Sequence, residues 1–442
     1  MVHKHLISFF STILLTAFIV CTSAAFDTDN RDTPNVRIGA DSGITLLDED
    51  LFISVLVEFE LGVDGFEVVL LAPFRFRVFD NAPSDNGVLR SQDWDDSSDW
   101  ARIVRTLRFE HHFSHGSLEL YAGELNGVHL GHGEIVSHYY NSVDMDAYHG
   151  GIKFFADYRG NGIEFLMDDV VDPSIFAGRV VIAPFSWFSS KRLAERFQLG
   201  LYFFADRDAP SRTIRYSRSA LYSIGADASF MFAETKKAGF STYVSAGVMD
   251  GDAGFHCGLI ADVLFSERTQ RGMHFQSEFR YSGEDYYPAV VNPYYNYNRR
   301  YFTKDPVTGV SNTFTDHLAN TSMGAQSGPG FMADIELQPG EKFTMGVRYD
   351  YQSRNRPHWM LLRIRLAPTE KISLSVFYAG QDIEGGSKIF SLDALMGVAY
   401  HHQIMGPLRF FSEFTRRLRG IDSQDADWAN ETILGIGLIV NL

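Results

Sequence analysis

Charged residues recur in this chain at a spacing of two. Arg75 and Arg77 form one pair, and Arg108, Glu110 and His112 form a triplet. Glu278 and Arg280, Arg348 and Asp350, and Arg363 and Arg365 repeat the interval, and Arg409 and Glu413 stand at twice that interval. Residues two apart share one face of a β-strand, so these side chains would stand in rows on a wall. Rings of charge on a pore wall select which ions and solutes pass. Arginine would favour anionic or hydroxyl-rich solutes, because its planar fork matches carboxylate and phosphate. The competing reading is structural: Arg and Glu on neighbouring strands pair and hold the wall together.

A second set lies in the segment Gly123–Gly151, which carries His129, His132, Glu134, His138, Asp144, Asp146 and His149. Three readings compete: a loop folded inward that constricts a pore, a metal site built from imidazole and carboxylate, and an ordinary external loop. His132 and His138 meet zinc-ligand spacing only loosely. Asp80–Trp100 holds the acidic run around Asp93, Asp95, Asp96 and Asp99. It lacks the glycine and terminal glutamate of a calcium loop and reads as solvated. Glu284–Gly328 is the longest connection and is rich in Tyr, including Tyr286, Tyr287, Tyr294, Tyr295, Tyr297 and Tyr301; such rows could stack on sugars or pack a lid. The chain contains no G-x-S-x-G, H-E-x-x-H or P-loop pattern. His317 and Ser322 could be cast as part of a rim-mounted hydrolase, but such a set arises easily by chance. No catalytic residue, metal or cofactor is expected.

The elements that must position these residues are strands. In Arg271–Gly283, Met273, Phe275, Phe279 and Tyr281 alternate with His274, Gln276, Glu278 and Arg280, which is the strand period. Nineteen such segments are predicted from residue 51 onward, and Pro34–Leu46 is the only room for one more. Most are about ten residues or longer, the length a tilted strand needs to cross a bilayer. The connections alternate between short and long, with long ones at 80–100, 128–148 and 284–328. The expectation is a transmembrane antiparallel up-and-down β-barrel over residues 34–442, with an even number of strands, roughly 18 to 20.

Composition agrees. The chain has 37 Phe, 20 Tyr and 38 Gly in 442 residues, yet its mean hydropathy is only −0.11, as when lipid-facing and lumen-facing rows cancel. Met1–Ala25 reads as a secretory signal peptide, with Leu6–Val20 as its apolar run and cleavage near Ala25, followed by a tail over 26–33. The net charge of −16 disfavours nucleic acid as a partner. Removal of the signal would take Cys21 and leave Cys257 without a disulfide partner.

By export signal, alternating strands, loop lengths and terminal strand, the chain resembles Gram-negative outer-membrane proteins of the porin and channel class. The terminal strand places Thr432, Leu434, Ile436, Leu438, Val440 and Leu442 on one face. It is similar to the signal read by the outer-membrane assembly machinery, with Leu442 where an aromatic residue is usual. The resemblance implies a bacterial outer-membrane location and contact with membrane lipid and lipopolysaccharide. It also implies a channel through which small hydrophilic solutes diffuse. A non-conducting structural or adhesion barrel and a barrel enzyme are the alternatives; the oligomeric state is open.

Overall fold

A computed structural model describes residues 35–81, 87–189, 191–207, 220–249, 251–266, 271–284, 286–296, 303–304, 311–312, 327–340, 342–353, 358–381, 394–419 and 427–441. The expected signal peptide and tail, Tyr297, Tyr301, His317 and Ser322 lie outside these.

Twenty strands form the wall. They are β1 (Asn35–Leu47), β2 (Asp50–Val63), β3 (Phe66–Phe79), β4 (Val104–Phe113), β5 (Gly116–Gly123), β6 (Gly151–Tyr158) and β7 (Asn161–Met167). Next come β8 (Ile175–Ile182), β9 (Phe197–Asp206), β10 (Leu221–Glu234), β11 (Ala238–Met249), β12 (Asp252–Ser266) and β13 (Arg271–Ser282). The circuit ends with β14 (Gly328–Gly340), β15 (Phe343–Gln352), β16 (Trp359–Thr369), β17 (Ile372–Gln381), β18 (Ala394–Met405), β19 (Leu408–Arg419) and β20 (Asp427–Asn441). Each pairs antiparallel with its sequence neighbours, and β1 closes on β20 with Arg37 opposite Asn441 and Leu47 opposite Glu431. Closure leaves no unpaired edge. The number is even, as expected, and the faint segment before residue 51 is the twentieth strand.

Alternation decides the two faces. On β13, Phe279 and Tyr281 are exposed outward while Gln276, Glu278 and Arg280 are buried inward. On β20, Leu434, Ile436, Leu438 and Val440 are exposed outward, and Glu431 and Ile433 face in. Exposed Ile, Leu, Val and Phe recur on most strands of the barrel. Such an apolar outer band is the face that a membrane-spanning barrel turns to lipid. No helix among the described residues is long and apolar enough to cross a membrane.

One end of the barrel carries tight links such as Asp64-Gly65, Arg159-Gly160 and Gly406-Pro407; it is called the turn end here, and the opposite one the loop end. Expected strand 176–187 stops at Ile182, because Pro184 opens a 3₁₀ turn that runs to Trp187. At the loop end, residues 101–103 belong to a 3₁₀ turn rather than to β4.

Candidate functional site: a divided barrel interior

The interior is not uniformly open. After Gly123 the chain leaves the wall, and residues 124–150 touch inward-facing side chains around the barrel. The Gly131 amide donates to Glu164 of β7 at 2.9 Å. The carbonyl of His132 accepts from Gln276 of β13 at 2.8 Å. His138 Nε2 lies 3.5 Å from Asp334 of β14, and the Met145 amide donates to the Leu418 carbonyl of β19 at 2.8 Å. A segment that reaches such widely separated strands of a closed barrel must run through its inside.

A second segment folds against the first. Ala289 and Val291 amides donate to the carbonyls of Glu134 and Ile135, at 2.6 and 3.0 Å, and the Ser137 amide donates to the Val291 carbonyl at 2.8 Å. Tyr139, Val136 and Ile135 then join Tyr286, Val291 and Tyr295 and the wall residues Leu166, Ile175, Tyr202 and Phe204 in one dry cluster. Tyrosine suits this place, offering apolar area with a hydroxyl that reaches a partner. The Tyr295 hydroxyl donates to Asp206 at 2.6 Å, and that of Tyr294 reaches the Ala379 carbonyl. Glycine makes room: a Cβ on Gly254 would stand 2.0 Å from the Tyr286 ring.

A buried ionic network ties this insert to β11–β16. His256 lies 2.8 Å from the Tyr286 hydroxyl and 3.0 Å from Glu278. Glu278 also accepts from Tyr243 at 2.5 Å and from Arg280. Arg280 holds both oxygens of Asp350, at 2.8 and 2.7 Å. Arg348 spans Asp350 and Asp334, at 3.5 and 3.3 Å. Arg363 pairs with Glu336 and approaches His138 at 3.3 Å. Four of the charged residues expected on the wall, Glu278, Arg280, Arg348 and Asp350, are thus buried in mutual contact.

The other side is hollow. A cavity of about 670 Å³ lies between the insert and the inner faces of β2–β4 and β17–β20. Six arginines line it: Arg75, Arg102, Arg105, Arg409, Arg416 and Arg417. So do six carboxylates: Asp41, Glu58, Glu124, Asp144, Glu413 and Glu431. A second cavity of about 430 Å³ opens at the turn end around Arg37, Lys371 and His402. His401 and Arg409 line both, so the two adjoin on this side of the barrel, and together they are called the conduit below. Where they meet, His401 Nε2 is 3.0 Å from Glu413, and Arg409 engages Asp41 with Glu58 at 3.7 Å. Gly437 lets this pair cross β20, since a Cβ there would overlap Asp41.

At the loop end the conduit is bounded by a knot around Asp93. Its Oδ1 is 2.7 Å from both Arg75 and Arg90 and 3.5 Å from Arg102. Burial alone would raise this carboxyl, but Arg75 and Arg90 overrule it and hold it below the usual carboxylate range. Arg90 also clasps Asp146, and Arg75 holds Glu431 at 2.6 Å. Arg102 lies over the Tyr148 ring, 5.6 Å from its centroid, and burial with Arg75 beside it lowers its proton affinity. Arg416 differs from its neighbours. It donates to Asn430 at 2.9 Å and lies 5.4 Å over Trp428, and no carboxylate pairs with it among the described residues.

The remaining expected residues fall elsewhere. Arg77 lies near Asp50 and Asp80 and over Phe52. Arg108, Glu110 and His112 pair with one another near the turn end, at 2.5 and 2.6 Å, and Arg365 is exposed. His132 stacks on Tyr243 with centroids 4.2 Å apart, His129 packs edge-on to His138 at 5.1 Å, and His149 lies 3.0 Å from Asp169. Glu134 is buried. Asp144 faces the conduit, and its carboxylate accepts from the Asp146 amide at 2.9 Å. Among the described residues no three His, Cys, Asp or Glu side chains gather as metal ligands, so the metal reading of the histidines gains no geometry. Sequence reading missed Asp41, Glu58, Arg102, Arg105, His401, Arg416, Arg417 and Glu431. Glu431 was findable as an inward carboxylate on the apolar terminal strand.

No protein-family model matches the chain, and no curated protein matches it. Among solved structures it is similar to OpdL of Pseudomonas aeruginosa, with 13% identity and a TM-score of 0.33 over 93% of this chain and 99% of that one. It is similar to OccD3 (OpdP) of Pseudomonas aeruginosa at 10% and 0.33, over 94% and 93%. A mutant Rh. blastica porin matches at 8% and 0.28, over 92% and 100%. Identity at this level leaves the solute to be read from the interior of this chain.

Proposed function

We propose that the chain is an outer-membrane channel, and that small hydrophilic solutes cross it through the off-axis conduit. One observation carries this reading: the larger cavity and the turn-end cavity share His401 and Arg409, while the tyrosine cluster of the insert occupies the opposite side of the barrel. Loop 124–150 then acts as the constriction, because Ser142 and Asp144 form part of the conduit wall. The apolar outer rows support a place in a bilayer, and the expected export signal supports the outer membrane. Six arginines against six carboxylates make the lining nearly balanced. Any anion preference therefore rests on guanidiniums without a carboxylate, chiefly Arg416.

Reconstitution of residues 26–442 into planar bilayers tests the reading. Discrete current steps are expected, with a reversal potential in a salt gradient displaced modestly toward anions. A barrel that folds and inserts yet passes no current would overturn it.

A further inference from the structure

The link from β8 to β9 departs from the pattern of its end of the barrel. Turn-end links such as Asp64-Gly65, Arg159-Gly160, Thr235–Lys237, Glu370-Lys371 and Gly406-Pro407 are short and polar or tight. Residues 183–189 and 191–196 instead contain two 3₁₀ turns, Pro184–Trp187 and Arg192–Glu195. They leave Phe185, Trp187, Phe188 and Leu193 at 57%, 63%, 85% and 66% exposure.

This knuckle is held in shape. Asn161 Oδ1 accepts from the Ala183 amide at 3.0 Å and from the Trp187 indole at 3.2 Å. The Ser186 hydroxyl donates to the Ala183 carbonyl at 2.7 Å. Arg159 donates to the Ser189 carbonyl at 2.8 Å and reaches Glu195 at 3.4 Å. Large aromatics fixed in an exposed position at a chain turn call for a partner.

Two features identify it. The Phe185 ring lies 5.8 Å from that of Phe197, which heads the outward row that continues through Leu199, Leu201 and Phe203. The aromatic surface is therefore continuous with the band that faces lipid. Beside it stand the exposed Lys191, Lys236 and Lys237, while the nearby Glu195 and Glu234 are engaged by Arg159 and Arg196. The rim here carries surplus positive charge.

We infer that this connection is an interfacial anchor for anionic glycerophospholipid in the turn-end leaflet. Trp187 and Phe188 sit at the level where aromatic side chains favour the membrane–water boundary, and the lysines face the headgroup phosphates. The inference rests on the membrane reading above.

The wild type and Trp187→Phe are refolded into vesicles of phosphatidylethanolamine and phosphatidylglycerol whose acyl chains are brominated near the headgroup. The difference between their emission spectra isolates Trp187. It should be blue-shifted and lose most of its intensity to bromine. A difference spectrum typical of indole in water, unquenched in a barrel that conducts, would overturn the anchor and leave the channel standing. Quenching that returns only when an oligomer is dissociated would assign the surface to a second copy and also overturn it. A chain that never enters the bilayer sinks both readings. Reversal of charge at Lys191, Lys236 and Lys237 by Glu should lower insertion on the order of fivefold per lysine where phosphatidylglycerol is present. It should have little effect in pure phosphatidylcholine. Equal insertion in both vesicles would overturn the headgroup assignment.

Discussion

Asp93 shows what a single inward carboxylate does in this barrel. Its Oδ1 lies among Arg75, Arg90 and Arg102, in a place with almost no solvent exposure. Removing one partner of a buried ionic set strands the others, which typically costs about 3–5 kcal/mol. Asp93→Asn is therefore expected to destabilise the folded barrel by that amount in urea titration of the lipid-inserted protein. A change below about 1 kcal/mol would mean that the guanidiniums relax to water. Arg416 behaves differently, because its loss leaves no carboxylate unpaired. Arg416→Gln gives up only the contacts to Asn430 and Trp428, so it should lower stability by about 1 kcal/mol or less, far less than Asp93→Asn, and shift the reversal potential toward cations. The change in permeability ratio should be about fivefold or less, the effect of the ~1 kcal/mol that a unit charge exerts at 4 Å in water. Sequence alone could place Arg75 and Arg409 on the inner face, because alternation reports the face directly. It could not separate the paired arginines from Arg416, since partnership depends on register across strands that lie hundreds of residues apart. Asp41 and Arg409 illustrate this: they meet only because β1 and β20 close the barrel.

At the scale of elements, the strands were legible and the insert was not. β1 was faint because its inward row carries Gly39 and Gly43 and its outward row Ala40 and Ser42, so contrast between the faces is low. The insert gives no periodic signal at all. Its order comes from backbone bonds between two segments over 140 residues apart in sequence, such as Ser137 to Val291. It also predicts a pH response. Burial drives the pKa of His138 well below its usual value, with Arg348 beside it, whereas His129 is exposed to the cavity it lines. When the insert is released to solvent, the His138 imidazole returns to about 6.5. Below pH ~6.5 the released form binds more protons, so stability of the docked insert falls as pH falls. His138 contributes about 1.4 kcal/mol per pH unit in that window. Glu134, raised by burial, acts in the opposite sense from its ordinary value upward, against His138 at the lower end of the window. Asp93 and Asp169, both lowered, weaken only below the ordinary carboxylate range. Amide exchange across 128–148 should thus accelerate as pH drops from 7 to 5, after correction for intrinsic rates, while exchange in β1 and β20 stays constant. Exchange in 128–148 that ignores pH in this range would show that His138 stays neutral when released.

For the whole molecule, the unexpected feature is asymmetry. Strand count, closure and outer band follow from alternation and loop length, and all three would suit a central pore. The insert removes that pore by packing tyrosines and buried charge against β7–β15, with a cavity of about 320 Å³ left against β12–β15, and by apolar contacts to β16–β20 near the loop end; the larger cavity lies against β17–β20 and β2–β4. Position on the inner face therefore does not imply contact with solute. Ser245 and Ser282 point inward on β11 and β13 and are buried. Thr415 and Ser142 line the cavity. Cysteine at each of these four positions, in a Cys257→Ser background that removes the exposed thiol on the outer face, separates the two cases. Serine and threonine differ little from cysteine in volume, so packing is barely disturbed. A charged methanethiosulfonate reagent added to the conducting channel should modify Thr415→Cys and Ser142→Cys and reduce the current. Ser245→Cys and Ser282→Cys should remain unmodified until the protein is unfolded. Equal reaction at all four would mean that water and solute pass on both sides of the insert, and that the barrel conducts through its centre.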